Sequence, residues 1–308
     1  MKRNIFVNIT VLAIALCTVY AANAEIPAEQ LNISRAFKLA ETASPEQLKQ
    51  AVAEGINFNI ERHPNFDDDD DYGWYDDYEF DTMTPLHAAA GKNPNSESIR
   101  FLLSLGLDVN ASATAGNTIH ETPLTCAIRN RNNIKVINEL LNAGADPDVW
   151  SSGNNYSVFH LVASECKNYS YAKAVIDALI RAGGNINSHY RFTREEIKEL
   201  KENEDPSDFR IKWSRSNPFG DAVYHLSHAK RENFLSSFTA LMYAVLHNNP
   251  DVVNILLDYG ADPNIRSVET KTALDYAHML PKTTNLRRSD AFIRLQKVTR
   301  HKKLPLTR

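Results

Sequence analysis

The chain has 308 residues, with 34 Lys+Arg against 38 Asp+Glu for a formal charge of −4; 43% of its residues are hydrophobic, 23% are charged, and it holds 11 Gly, 13 Pro and 3 Cys. These values exclude a collagen-like, a mainly disordered or a disulfide-dense chain, and the near-neutral total gives no reason to expect nucleic-acid binding. Length alone permits two compact domains or one elongated array.

In chain order, residues 1–24 have the three parts of a secretory signal peptide. Lys2 and Arg3 precede an apolar run from Ile9 to Tyr20, which ends at Ala22-Asn23-Ala24. Small residues two apart mark a cut after Ala24, and the run is short for a bilayer span. Leu16 directly before Cys17 argues against the alternative of a lipid-modified cysteine. Loss of Lys2 and Arg3 takes the charge from −4 to −6 and leaves Cys126 and Cys166, which could form one disulfide or stand as two buried thiols.

Residues 30–60 carry two apolar helical patterns, around Ala36-Phe37-Lys38-Leu39-Ala40 and Leu48-Lys49-Gln50-Ala51-Val52. An insertion follows at about 61–81. Its residues 67–81 contain eight Asp and one Glu, interleaved with Tyr72, Trp74, Tyr75, Tyr78 and Phe80. Such a segment is either a solvated acidic loop with its aromatic rings folded back, or a projecting finger. As a finger, Asp68, Asp69, Asp70 and Asp71 would steer a basic partner while Trp74, Tyr75 and Tyr78 anchor it. A calcium loop is a third possibility, because Asp68, Asp70, Gly73, Asp76 and Glu79 fall at positions 1, 3, 6, 9 and 12 of an EF-hand-like stretch. Tyr72 at position 5 breaks that pattern.

From residue 84 a motif recurs: Thr84-Pro85-Leu86-His87-Ala88-Ala89, Thr122-Pro123-Leu124-Thr125-Cys126-Ala127, Ser157-Val158-Phe159-His160-Leu161-Val162-Ala163, Thr239-Ala240-Leu241-Met242-Tyr243-Ala244 and Thr272-Ala273-Leu274-Asp275-Tyr276-Ala277. The starts lie 38, 35, 82 and 33 residues apart, which implies a period near 33 interrupted by one long insertion. Thr or Ser caps a first helix with Pro in its first turn, and a second apolar pattern ends at Gly55, Gly106, Gly144, Gly183 or Gly260. The expected core comprises Ala88, Ala89, Ala127 and Ala163 on the first helices. On the second helices it comprises Ile99, Leu102, Leu103, Val136, Leu140, Leu141, Val175, Leu179, Val253, Leu256 and Leu257.

The long insertion, about 188–237, has balanced charge. It contains a capping-box spacing at Thr193-Arg194-Glu195-Glu196 that predicts a short helix over about 194–204. Arg210, Lys212 and Trp213 form a small basic-aromatic patch that either packs on the repeats or makes a second arm of a binding site. Residues 278–308 hold nine Lys+Arg and one Asp, read as a frayed end or a contact for anionic groups.

No catalytic constellation is present. There is no Gly-x-Ser-x-Gly turn, phosphate-binding glycine loop or paired-Cys metal knuckle, His120-Glu121 is followed by Leu124 in place of a second His, and His225 with His228 lacks further obvious ligands. No cofactor is expected.

The Thr-Pro-Leu-His-x-Ala motif with the later Leu-Leu-Asp-Tyr-Gly-Ala-Asp-Pro-Asn at 256–264 resembles the ankyrin-repeat family, weakly over 30–60 and strongly over 82–280 apart from the long insertion. That resemblance implies an all-α solenoid of about six helix pairs joined by hairpin-like loops, with a concave surface that binds proteins, and a hydrogen-bonding role for His87 and His160 within and between repeats. The domain plan is a signal peptide over 1–24, a repeat domain over 25–280 and a C-terminal cap with basic tail over 281–308. The function expected is an exported, non-enzymatic binder of another exported protein. It would act as an inhibitor or immunity protein against a secreted toxin or effector, or as an accessory protein on a periplasmic enzyme; an enzyme with its site in the insertions is the remaining class. The expected partner is a protein with a basic surface, with neither nucleic acid nor a membrane span, the chain being a monomer or in complex with that partner; the expected location is the periplasm, with secretion as the alternative.

Overall fold

The computed structural model describes residues 28–61, 82–115, 119–151, 156–189 and 237–299. Twelve α-helices among them form six antiparallel pairs: α1 (Ala28–Thr42) with α2 (Pro45–Ala53), α3 (Pro85–Lys92) with α4 (Ser96–Ser104), α5 (Pro123–Arg129) with α6 (Ile134–Asn142), α7 (Val158–Glu165) with α8 (Tyr169–Arg181), α9 (Ala240–Leu246) with α10 (Pro250–Asp258), and α11 (Ala273–Met279) with α12 (Asp290–Val298). First helices stack on first helices and second on second, so each pair covers the apolar side of the next. The fold is an all-α solenoid. Its strands among the described residues are two short antiparallel pairs within unit-to-unit loops, β1 (Ala113–Ala115) with β2 (Ile119–Glu121) and β3 (Trp150–Ser151) with β4 (Tyr156–Ser157).

The local chemistry explains where each helix starts and stops. Thr84, Thr122, Ser157, Thr239 and Thr272 stand in extended conformation as N-caps of the first helices. Four of the six second helices, α4, α6, α8 and α10, are capped by a residue type that the repeat motif does not advertise: Asn95, Asn133, Asn168 and Asn249 each accept a backbone N–H of the first turn. Beyond each of the first five second helices the chain turns through Gly55, Gly106, Gly144, Gly183 or Gly260, all at φ between +86° and +93°. A side chain there would meet the left-handed penalty even though the space around it is open.

Small residues let the first helices approach, with Ala88, Ala89, Ala127 and Ala163 fully buried. Ile99, Leu102, Val136, Leu140, Val175, Leu179, Val253 and Leu256 are equally buried. Leu103, Leu141 and Leu257 lie one helical step, about 100°, beyond their buried neighbours and are only partly covered. At the C-terminal end, α12 buries Ala291, Phe292 and Leu295 against α10 and α11, so the last unit has a complete second helix. The Arg287 guanidinium lies 4.2 Å above the Phe292 ring, and Arg294 pairs with Asp258 at 2.7 Å.

Cys126 and Cys166 are both buried thiols, not bridged to each other. Burial pushes the Cys166 thiol up to about 11, which keeps it protonated and unreactive at neutral pH. No helix among the described residues is long and apolar enough to cross a membrane.

Candidate functional site: the loop-bearing edge of the array

Among the described residues, the turns that follow the second helices share one edge, and polar side chains tie it into a ladder from the second unit to the fifth. Asn110 donates through Nδ2 to Gly144 O at 3.0 Å and accepts Asp146 N–H at 2.9 Å. Asp148 accepts Asn185 N–H at 2.7 Å, and Asn187 accepts Asp262 N–H at 2.8 Å. The last bond spans 75 residues and crosses the position of the long insertion. Within each loop Asp108, Asp146, Asn185 and Asp262 also accept the N–H two residues on, the local turn that holds the ladder residues in place.

The imidazoles brace the same edge. His87 Nε2 lies 3.0 Å from Ala111 O and 3.1 Å from Glu121 O, so it carries the proton and donates to the base of the β1–β2 hairpin. Its Nδ1 is therefore the acceptor for Thr84 N–H at 3.3 Å and the Thr84 hydroxyl at 2.8 Å. His160 repeats the arrangement: Nδ1 accepts Ser157 N–H at 3.0 Å and the Ser157 hydroxyl at 2.6 Å, while Nε2 donates to Phe238 O at 2.6 Å. Burial drives both imidazoles down to about 4, so both are neutral at pH 7. In the third and sixth units the corresponding acceptors are Thr125 Oγ1 and Asp275 Oδ2, each 2.8 Å from the cap N–H.

The opposite ends of the first helices are tied by buried asparagines. Asn93 Nδ2 donates to Ala40 O and Ala43 O, both at 3.0 Å, and Asn132 Nδ2 to Ala90 O at 2.7 Å and Asn93 O at 2.9 Å. Asn249 Nδ2 donates to Cys166 O at 3.0 Å. Each supplies N–H donors to carbonyls that a helix end leaves without intrahelical partners. These asparagines went unread in the sequence; their signal is an Asn just beyond the end of the first helix in three units, at positions 93, 132 and 248–249. On that side Lys92 pairs with Glu41 at 3.2 Å, and Arg129 at the end of α5 reaches back to the 2%-exposed Glu121 of β2 at 2.6 Å.

Both insertions leave from and return to the loop-bearing edge. Thr82, the first described residue after the acidic insertion, exchanges both backbone hydrogen bonds with Thr114 of β1, at 3.1 and 3.2 Å, and their hydroxyls lie 2.9 Å apart. Ser237, the first after the long insertion, accepts Val268 N–H at 3.1 Å, and Phe238 is held by His160. Asp68, Asp69, Asp70, Asp71, Trp74, Tyr75, Asp76, Tyr78, Glu79, Arg210, Lys212, Trp213 and the expected 194–204 helix lie outside the described residues, as do residues 1–24, His225, His228 and the end of the basic tail. Among the described residues no group of three or more His, Cys, Asp or Glu side chains is placed to hold a metal ion.

Comparisons with known proteins agree with this architecture. A family model described as ankyrin repeats (3 copies) matches residues 42–150 and one described as ankyrin repeats (many copies) matches residues 233–277; together they span half of the chain. Among curated proteins the chain is similar to the human mitochondrial disaggregase, 31% identical over 66% of this chain and 26% of that protein. It is also similar to a putative palmitoyltransferase ZDHHC13 of Danio rerio, 26% identical over 70% of this chain and 32% of that protein. The chain thus spans only about a quarter to a third of the length of these relatives. Ankyrin repeats generally mediate protein–protein binding. With six stacked helix pairs, glycine-ended second helices and both family matches in register with them, the chain belongs to the ankyrin-repeat family.

Proposed function

We propose that this chain is an exported, non-enzymatic protein-binding module that captures another exported protein on its loop-bearing side, with the two insertions as the arms that select the partner. The observation that carries this reading is the anchoring of both returns, Thr82 on Thr114 and Phe238 on His160, to one edge of an otherwise continuous array. A preorganised frame lowers the ordering cost of binding, so affinity can be concentrated in a few aromatic and charged contacts. The acidic stretch Asp68–Asp71 suits a basic partner surface and would raise the association rate by steering. The basic start, apolar run and Ala22-Asn23-Ala24 of residues 1–24 support export to the periplasm.

In its specific form the module neutralises a secreted toxin or effector, as an immunity protein does. A second reading is an accessory role on a periplasmic enzyme, which the same array geometry serves equally. Recovery of the tagged full chain from the exported fraction, with identification of what comes with it, tests the proposal. A single protein in fixed proportion is expected, and loss of toxin activity on binding separates neutralisation from an accessory role. A chain that stays in the cytoplasm, or one that retains nucleic acid instead of protein, would refute the reading.

A further inference from the structure

From the second unit to the sixth, the third residue of the first helix is His87, Thr125, His160, Met242 and Asp275, and all but Met242 accept the cap N–H. Only an imidazole there loses its fit on gaining a proton. His160 is the sharper case, because its Nε2–H bond reaches Phe238 O across 78 residues and so spans the junction that the long insertion interrupts. Its Nδ1 has no lone pair to spare, since Ser157 N–H stands at 3.0 Å and the Ser157 hydroxyl at 2.6 Å. A proton on Nδ1 would set two N–H donors against each other across 3.0 Å, and the ring would have to leave its place.

The surroundings offer that cation little. His160 is fully buried. Trp150 of β3 stands 5.7 Å from the ring and Tyr243 of α9 stands edge-on at 4.8 Å. From the loop after α8 the titratable group acting on it is His189, which disfavours the charge. No carboxylate among the described residues acts on His160, whereas Asp108 acts in favour of the charged form of His87.

We propose that His160 is an acid-labile tie: protonation expels the imidazole from between Ser157 and Phe238 and breaks its bond to Phe238 O, where the long insertion returns, while the Phe238 ring stays packed on Tyr243 and Tyr276 and the helix pairs stay folded. Other polar ties across this junction contain no imidazole: Asn249 Nδ2 to Cys166 O, Asp262 N–H to Asn187 Oδ1 at the loop edge, and on the second helices Tyr259 OH, which donates to Asp177 and accepts from Lys173 Nζ, both at 3.0 Å. Acid therefore releases one bond of the junction and leaves the stack. This inference does not depend on what the array binds.

The full chain with Trp74→Phe and Trp213→Phe keeps Trp150 as its one tryptophan, beside His160, and an imidazolium or a departing ring changes its fluorescence. On lowering the pH from 7.5 to 4, the Trp150 signal should begin to change below about pH 5 and be about half-way through its step at pH 4, well below the ordinary histidine midpoint near 6.5, while far-UV circular dichroism holds its value. The step should vanish in His160→Thr, which places a hydroxyl in the register that Thr125 occupies, and persist in His87→Thr. The His160 Cε1 proton resonance of the otherwise unsubstituted chain, followed over the same range, needs no change at the site and should move in step with the fluorescence. A flat Trp150 signal and a flat His160 resonance down to pH 4 would overturn the proposal. So would a step that survives in folded His160→Thr, or one that coincides with loss of helical signal.

Discussion

Excision of the long insertion separates folding from recognition. Between the helix-ending glycine and the next cap residue the uninterrupted junctions carry 15 residues (Gly106 to Thr122), 12 (Gly144 to Ser157) and 11 (Gly260 to Thr272). Residues 184–189 and 237–238 already supply eight at the interrupted junction, so replacing 190–236 with about five Gly/Ser residues restores an ordinary loop. The bonds of His160, Asn187, Asn249 and Tyr259 lie wholly within retained residues. At about 1 kcal/mol each these hold the junction by about 4 kcal/mol beyond its apolar packing. Shortening a 47-residue closure to about five removes a little over three doublings of loop length, a gain of about 2 kcal/mol that offsets packing lost with the insertion. Urea unfolding followed by circular dichroism should give one cooperative transition, with stability unchanged or raised by up to about 2 kcal/mol, while partner capture is lost. A second, earlier transition from the last two units, or a chain that does not fold, would refute the claim that the array is continuous without the insertion.

Three further outcomes follow from the same contacts. Asn132→Ala removes donors from Ala90 O and Asn93 O in a 7%-exposed position and should cost about 2 to 4 kcal/mol in urea unfolding, well above an exposed control such as Lys135→Ala. The unfolded chain binds protons on His87 and His160 near pH 6.5 and the folded chain only near 4, so their contribution is complete above pH 6.5 and is lost as pH falls toward 4. Unfolding free energy should drop by about 2 kcal/mol per histidine between pH 7.5 and 5, and the double His87→Thr/His160→Thr variant should lose most of that slope. Replacing Asp68–Asp71 with Asn should slow association with the captured partner about tenfold or more at low salt and flatten its salt dependence, with the melting curve unchanged; equal rates at low ionic strength would remove steering from the account.

The regular part of this fold was legible because each repeat announces itself locally. A Thr or Ser cap, an apolar run of fixed spacing and a terminal glycine need only their own neighbours to form, and five copies in one chain make the period plain. Long-range satisfaction of polar groups was not legible. Asn93 and Asn132 close the carbonyl ends of helices in the preceding unit, about 40 to 50 residues away, and no local pattern says which carbonyls a buried amide will meet. The pairing of Arg129 with Glu121 was hidden for the same reason, since a charge on a loop and one at a helix end look solvated until the array brings them to 2.6 Å. The resemblance implied inter-repeat bonds for His87 and His160, and the structure adds which nitrogen donates and to which loop. Candidate partner contacts in the two insertions follow no repeat, so no periodicity in the sequence says what their side chains meet.

The central claim is that partner binding resides on the loop-bearing edge of a continuous array. Hydrogen–deuterium exchange on the full chain, alone and with its captured partner, tests it most directly. The account predicts new protection in 67–81 and 190–236 and in the adjoining loops near Asp108, Asp146 and Asp262, with the outer faces of α4, α6, α8 and α10 unchanged. Protection confined to those second helices, with both insertions exchanging as in the free chain, would contradict it.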